Sequence, residues 1–435
     1  MSGRYSVCRA FQPGKRGISL SCSVQLLMAA FLVFCLAGNA TAGDLSLHDV
    51  LREAVEKNPE MHLERARAEA LNYRVPRVQS LPDPVISVGY QNEGYEKYSY
   101  GEAPDAQWMF TLSQLFPFPG KLPLKGEMAG KEAESAEKGY EALRLNTIAK
   151  VKEIFFDLFL AYENLDLLSE KYELFLQIEE AALARYSAGK GSQQEVLMAQ
   201  TEKYKLLERQ EIYRQDIDSL EARLNALIGR RADEELGRPS DLLRTVFPHG
   251  LTELLTLAEA RSPEIQSGAK LVAAADKGIS FAEKGYYPDF TFTGGLMERK
   301  NYQDMWSITT AVNIPIFYRT KQRQRVSEAK AEHAMAVNAL ESLRLRIASS
   351  VRESYSSMKA AEKLMEIYRS GLIPKTTQEF ESVLSGYETG KLDVIAAITR
   401  LKSVIDFEML YWGQMVEREK GIARLEALTG LTDNE

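Results

Sequence analysis

Tyr186-Ser187-Ala188-Gly189-Lys190 and Tyr387-Glu388-Thr389-Gly390-Lys391 are two versions of one helix-ending phrase, set about 200 residues apart in a chain of 435. From each tyrosine, 43 residues lead to a terminating glycine, in Leu227-Ile228-Gly229 and in Leu428-Thr429-Gly430. The correspondence continues upstream. Asn58-Pro59-Glu60 recurs as Ser262-Pro263-Glu264, and Pro82-Asp83 recurs as Pro288-Asp289. Trp108 and Trp306 are each followed nine residues later by a proline, Pro117 and Pro315. Five landmarks in constant order at a near-constant offset identify an internal duplication. The repeats fall at 43–229 and 251–430, with a linker at 230–250 and a tail at 431–435.

Each repeat reads as a short helix, a medium helix, two strands, a very long helix and another long helix. Ile148, Val151, Phe155, Leu158, Tyr162, Leu165 and Tyr172 step by threes and fours, with Ser169 interrupting, as a coiled-coil seam does. The helix that carries them is expected from about Leu124 to Tyr186, roughly 95 Å at 1.5 Å per residue. The neighbours Glu60–Ser80 and Ser192–Leu227 would span roughly 32 and 54 Å. One long helix packed against two half-length helices stacked end to end is therefore the economical arrangement. In the second repeat Pro374 falls inside the long helix, where it should kink or interrupt it.

Strands are expected at about 84–98, 106–117, 289–300 and 305–316. Trp306, Ile308, Val312 and Ile314 alternate with Ser307, Thr309, Ala311 and Asn313, and Ile86, Val88 and Tyr90 with Ser87, Gly89 and Gln91. Apolar on one face and small or polar on the other is the pattern of a transmembrane barrel strand with a wet lumen. A soluble half-buried sheet has the same period. Aromatics at the strand ends (Tyr95, Tyr98, Tyr100, Trp108, Tyr302, Trp306) favour the membrane reading. Four strands cannot close alone, and an open edge in lipid leaves backbone groups unpaired at several kcal/mol each. The sheet is expected to close with other copies, and these residues do not count the copies.

Residues 1–42 read as a secretory signal peptide: Arg4, Arg9, Lys15 and Arg16, then an apolar run from Leu26 to Ala37, then Ala40-Thr41-Ala42 as a cleavage site. A lipoprotein reading competes through Cys35, although Phe34 stands where a small residue is wanted. All three cysteines (Cys8, Cys22, Cys35) lie inside this segment, so cleavage would leave a chain without thiols, disulfides or cysteine metal sites. Removing its four basic residues takes the formal net charge from -7 to -11, which argues against nucleic acid as a partner. No mature segment has eighteen consecutive apolar residues.

Catalysis and cofactors find no support. His48, His62, His249 and His333 are scattered, and the thirteen methionines form no tight cluster. No nucleophile motif is present. Gly189-Lys190-Gly191-Ser192 is not a phosphate loop, because Ala184 sits where its first glycine belongs and Gly191 replaces the hydroxyl residue after the lysine.

The repeated plan, the Tyr-x-x-Gly-Lys turns and the Trp-to-Pro strand endings resemble the TolC-like outer-membrane factors over about Leu45 to Gly430. Gln114-Leu115-Phe116-Pro117-Phe118-Pro119-Gly120-Lys121, and Leu372-Ile373-Pro374 ahead of the second turn, are similar to the cation-efflux branch. The resemblance implies a mainly α fold with a transmembrane β-barrel contribution. It implies a homotrimer whose twelve strands form a barrel in outer-membrane lipid above a periplasmic α-barrel. It implies a periplasmic adaptor that opens the closed tip, and an inner-membrane pump of the resistance-nodulation-division type. On that basis Ala188, Gly189, Lys190, Thr389, Gly390 and Lys391 are adaptor-contact candidates. Each glycine turn can equally be a helix end in left-handed conformation. Glu195 and Asp393 are candidate pore-gate acids, but aligned without gaps Asp393 matches Ser192 and Ala396 matches Glu195, which puts a paired ring in doubt. A duct for polypeptide secretion and a non-conducting coiled-coil surface protein are the alternatives.

Overall fold

The computed structural model describes residues 44–240 and 244–431; the expected signal, with Cys35, lies outside the described residues. From Leu45 on, both repeats belong to a single unit. The first contributes α1 (Leu47–Lys57), α2 (Pro59–Gln79), β1 (Val85–Gln91), β2 (Gln107–Phe116), α3 (Lys121–Ser187) and α4 (Gln193–Leu227). The second contributes α5 (Leu251–Arg261), α6 (Pro263–Lys284), β3 (Phe290–Glu298), β4 (Met305–Val312), α7 (Gln322–Ile367), a five-residue π segment (Tyr368–Leu372), α8 (Ile373–Glu388) and α9 (Val394–Thr429).

The helices lie in four columns. α3, 67 residues and about 100 Å long, packs against α2 and α4 on one side and against α6 and α9 on the other. α6 and α9 in turn carry α7, with α8 against α9. The half-length helices stack end to end because the break between α1 and α2 receives the end of α4. Asn58 accepts from the Glu60 backbone N–H at 2.7 Å and donates its amide to the Leu227 carbonyl at 2.8 Å. Gly229, at φ 75°, follows so closely that a Cβ there would stand 2.6 Å from the Lys57 carbonyl oxygen. The second repeat reproduces the junction with Gly430 against Arg261.

Ion pairs between α3 and α9 register the two helices. Lys152 pairs with Glu426 at 2.8 Å, Lys420 with Asp157 at 2.9 Å, and Arg424 with Glu153. The linker is pinned by Arg230 to Glu53 at 2.6 Å and by Arg418, which donates to the Thr245 carbonyl at 2.8 Å. Hydrogen bonding from Arg230 holds the Glu53 carboxyl down at a pKa of about 2, against the desolvation of a partly buried acid.

Pro374 does interrupt its helix, through the backbone just before it. A proline at this position cannot donate to the carbonyl four residues back and its ring crowds that carbonyl. The helix widens into the π segment, where Ile373 N–H bonds Tyr368 O, and Pro374 then sits in the first turn of α8.

The four strands form one antiparallel sheet in the order β1-β2-β3-β4. Two strand bounds fall short of expectation. β1 ends at Gln91 rather than near 98, because the Asn92 side chain takes over the following loop: its amide donates to the Gly94 and Lys97 carbonyls, and its oxygen accepts from Ser99 N–H. β4 ends at Val312 rather than near 316, where Asn313 still bonds Asp289 O but Pro315 has no N–H to give.

Candidate functional site

Two surfaces of this fold are unlike a satisfied protein surface: one face of the sheet, and the end of the helices where the two glycine turns meet. In the sheet the register places Ile86 beside Leu112, Val88 beside Phe110, Phe110 beside Leu296, and Leu296 beside Trp306. Their face is apolar across all four strands and is covered by nothing among the described residues; Ile86, Trp306 and Ile308 are 73–75% exposed. The opposite face carries Ser87, Thr111, Ser113, Thr293, Ser307 and Thr309, with Ser113 and Thr293 hydroxyls 2.8 Å apart. The outer edges of β1 and β4 have no strand partner among the described residues. No described helix is long and apolar enough to cross a membrane.

At the other end, α3 and α8 stop in the same way. Gly189 and Gly390 have φ of 68° and 76°, the left-handed region where a side chain is strained. Gly189 N–H reaches Tyr186 O and Lys190 N–H reaches Arg185 O; Gly390 N–H reaches Tyr387 O and Lys391 N–H reaches Gly386 O. These bonds use the carbonyls that a helix end leaves orphaned. All six residues expected at the tip, Ala188, Gly189, Lys190, Thr389, Gly390 and Lys391, are exposed there.

Arg185 and Tyr387, to which no motif assigns a role, join the turns. Arg185 donates to the Tyr387 carbonyl at 2.7 Å, and its guanidinium lies 4.8 Å over the Tyr387 ring. The Tyr387 hydroxyl donates to Glu195 Oε2 at 3.3 Å. Burial first, then the Glu195 charge, pushes this hydroxyl up to about 12, so it remains a donor at any neutral pH. Glu195 also closes a capping box with Ser192 at the start of α4. Glu195 is thus half-buried and engaged, whereas Asp393 is exposed at the N-cap of α9 and makes no side-chain cap bond. Asp393 occupies in α9 the place that Ser192 occupies in α4, so the two acids are not equivalent positions of the repeat.

The sequence profile of the outer membrane efflux proteins matches residues 50–230 and 254–426, one span in each repeat. The chain belongs to the outer membrane efflux protein family. It is 23% identical over 315 residues to the probable outer membrane lipoprotein SilC of Salmonella typhimurium, covering 67% of this chain and 66% of that one. It is 21% identical over 402 residues to the outer membrane protein TolC of Salmonella enteritidis, covering 86% and 80%. Its fold matches the solved outer-membrane channel OprN with a TM-score of 0.79 at 16% identity, over 89% and 90% of the two chains. Membership makes this chain an outer-membrane channel component and not an enzyme.

Proposed function

We propose that three copies of this chain close their sheets into a twelve-stranded barrel in outer-membrane lipid, and that their helices continue as a periplasmic tube. The assembly is a passive exit duct for small solutes. The observation that carries this is the sheet, with one uncovered apolar face, one small polar face and two unpaired edges. Lipid accepts the first, a water-filled lumen accepts the second, and only closure with other copies satisfies the third. Exposed apolar side chains on the outer columns, Tyr73, Tyr204, Met335 and Leu345, fit helix contacts between copies.

The exposed turns around Gly189 and Gly390 are the proposed docking site of a periplasmic adaptor, which links the duct to a proton-driven inner-membrane pump. Glu195 and Asp393 are the proposed acids of the gate at the tip. Tyr387 and Arg185 hold Glu195 against the second turn, so opening the tip requires those contacts to yield. The resemblance suggests metal cations as cargo. The test is planar-bilayer recording of the purified protein. Discrete conductance steps, larger in Tyr387→Ala, are the expected result, and trimers that never conduct would overturn the duct.

A further inference from the structure

The helices and the sheet meet around one recess of about 950 Å³, and its charged lining is unbalanced. Arg74 and Arg77 of α2, Lys121 and Lys125 of α3, and Lys321 and Arg325 at the start of α7 line it. Against these six stand only Asp83, Glu132 and Asp289. Pairing accounts for half of the cations: Arg74 with Glu132 at 2.7 Å, Lys121 with Asp289 at 2.7 Å, and Arg325 with Glu328 at 2.8 Å. Among the described residues Lys125 has only the Phe281 ring, 5.4 Å away. The side chains of Arg77 and Lys321 have no hydrogen-bond or ion-pair partner among the described residues. Three unpaired cations therefore face one unpaired carboxylate, Asp83.

The backbone adds to this field. α3 and α7 both begin at the recess, neither start has a side-chain cap bond, and neither has an acid in its first turn. The positive end of a helix is ordinarily offset by acids, and here lysine and arginine surround it instead. In a chain whose acids outnumber its bases, 61 to 54, so local a basic excess is not a matter of composition.

Position decides what the recess meets. Leu115, Asp289 and Asn313 line it, and by strand alternation they continue the face of Ser113, Thr291 and Ala311, opposite the apolar face. We propose that the recess is an anion-binding chamber in the wall of the duct, taking solutes that carry phosphate, carboxylate or sulfonate groups. This rests on the duct reading, because closure of the barrel is what turns the polar face into a lumen. Three copies would place nine unpaired cations around one ring, and low-dielectric walls focus such a field onto a solute passing through. The volume per chain suits an organic anion of drug size. What the chamber itself would retain is an anionic solute, including a metal carried as an anionic complex.

The same phosphate chemistry could be supplied by a lipid headgroup, and the test separates the two. Trimers in neutral phosphatidylcholine bilayers are challenged with tripolyphosphate from the barrel side. Binding of tripolyphosphate to detergent-solubilised protein is measured by calorimetry in parallel. Wild type should be blocked, less so at high salt. The triple variant Arg77→Gln, Lys125→Gln, Lys321→Gln should conduct normally but need about tenfold more tripolyphosphate for equal block and for equal binding. Conductance with no block, or with equal block in the two proteins, overturns the chamber. So does a triple variant that loses only its association with phosphatidylglycerol vesicles. Protein that binds tripolyphosphate through these residues yet never conducts keeps the anion site of the recess but overturns its place in a duct wall, and with it the duct.

Discussion

The turns at Gly189 and Gly390 share a backbone and differ in what their side chains do. Tyr186 stands 46% exposed, while Tyr387, at the matching position, is fully buried. The residue before each tyrosine explains the difference. In the first repeat it is Arg185, which reaches across to the partner turn. In the second it is Gly386, against which Leu392 packs so tightly that a Cβ would stand 2.5 Å from its Cδ1. The junctions at the other end of these helices diverge likewise. Glu53 and Arg230 close the first by an ion pair, whereas Leu257 and Leu431 lie in the apolar cluster at the second. Duplication fixed the helix ends and left the side chains free to specialise, so one turn became the arm and the other the socket.

That asymmetry can be broken experimentally, most strongly at the socket. Tyr387→Ala should cost about 3 to 5 kcal/mol of local stability, as removal of a buried aromatic does, whereas Tyr186→Ala should stay within about 0.5 kcal/mol. Amide exchange at the two turns measures both, and equal losses would show that the turns are equivalent after all. Arg185→Ala should cost about 1 to 3 kcal/mol by leaving the Tyr387 carbonyl without its charged donor, and Arg185→Lys should restore only part of it. Acid sharpens the comparison at the junctions. A carboxyl depressed to about 2 contributes stability that is fully present above its unfolded value and is lost as pH falls through the folded one. Between roughly pH 4.5 and pH 2 the first junction should lose about 1 to 2 kcal/mol, reduced by partial solvent screening. The leucine junction should lose none, and Glu53→Gln should remove the pH dependence of the first.

Much of this architecture was legible in the chain because it rests on local rules. The duplicated landmarks mark helix ends, and a helix end is set by a few residues such as Asn58 with Pro59, or Gly189. The strand faces follow from strict alternation. Pro374 announced an interruption, but not that a π segment upstream would absorb it, since that depends on how the neighbouring carbonyls rearrange. The bounds of β1 missed because Asn92 claims the loop through side-chain bonds to Gly94, Lys97 and Ser99 that no periodicity encodes. The tip was legible as backbone and not as chemistry. Gly189 and Gly390 declare themselves, while the meeting of Arg185, Tyr387 and Glu195 brings together residues about 190 to 200 apart in sequence. The basic recess was hidden for the same reason: its cations come from three helices and stand out only once the sheet shows which face they share.

In the proposed duct the open edges of β1 and β4 pair between copies. All three cysteines precede residue 36, so cysteines placed on the strands of a chain lacking residues 1–42 would be its only thiols. Pairs of substitutions, Ser87→Cys or Gly89→Cys with Ser307→Cys, Thr309→Cys or Ala311→Cys, would be oxidised in proteoliposomes and resolved by denaturing electrophoresis. At least one pair should give a ladder ending at three chains, and the single substitutions should give none. A ladder absent at every pair, or one running on beyond three, would contradict the proposed duct.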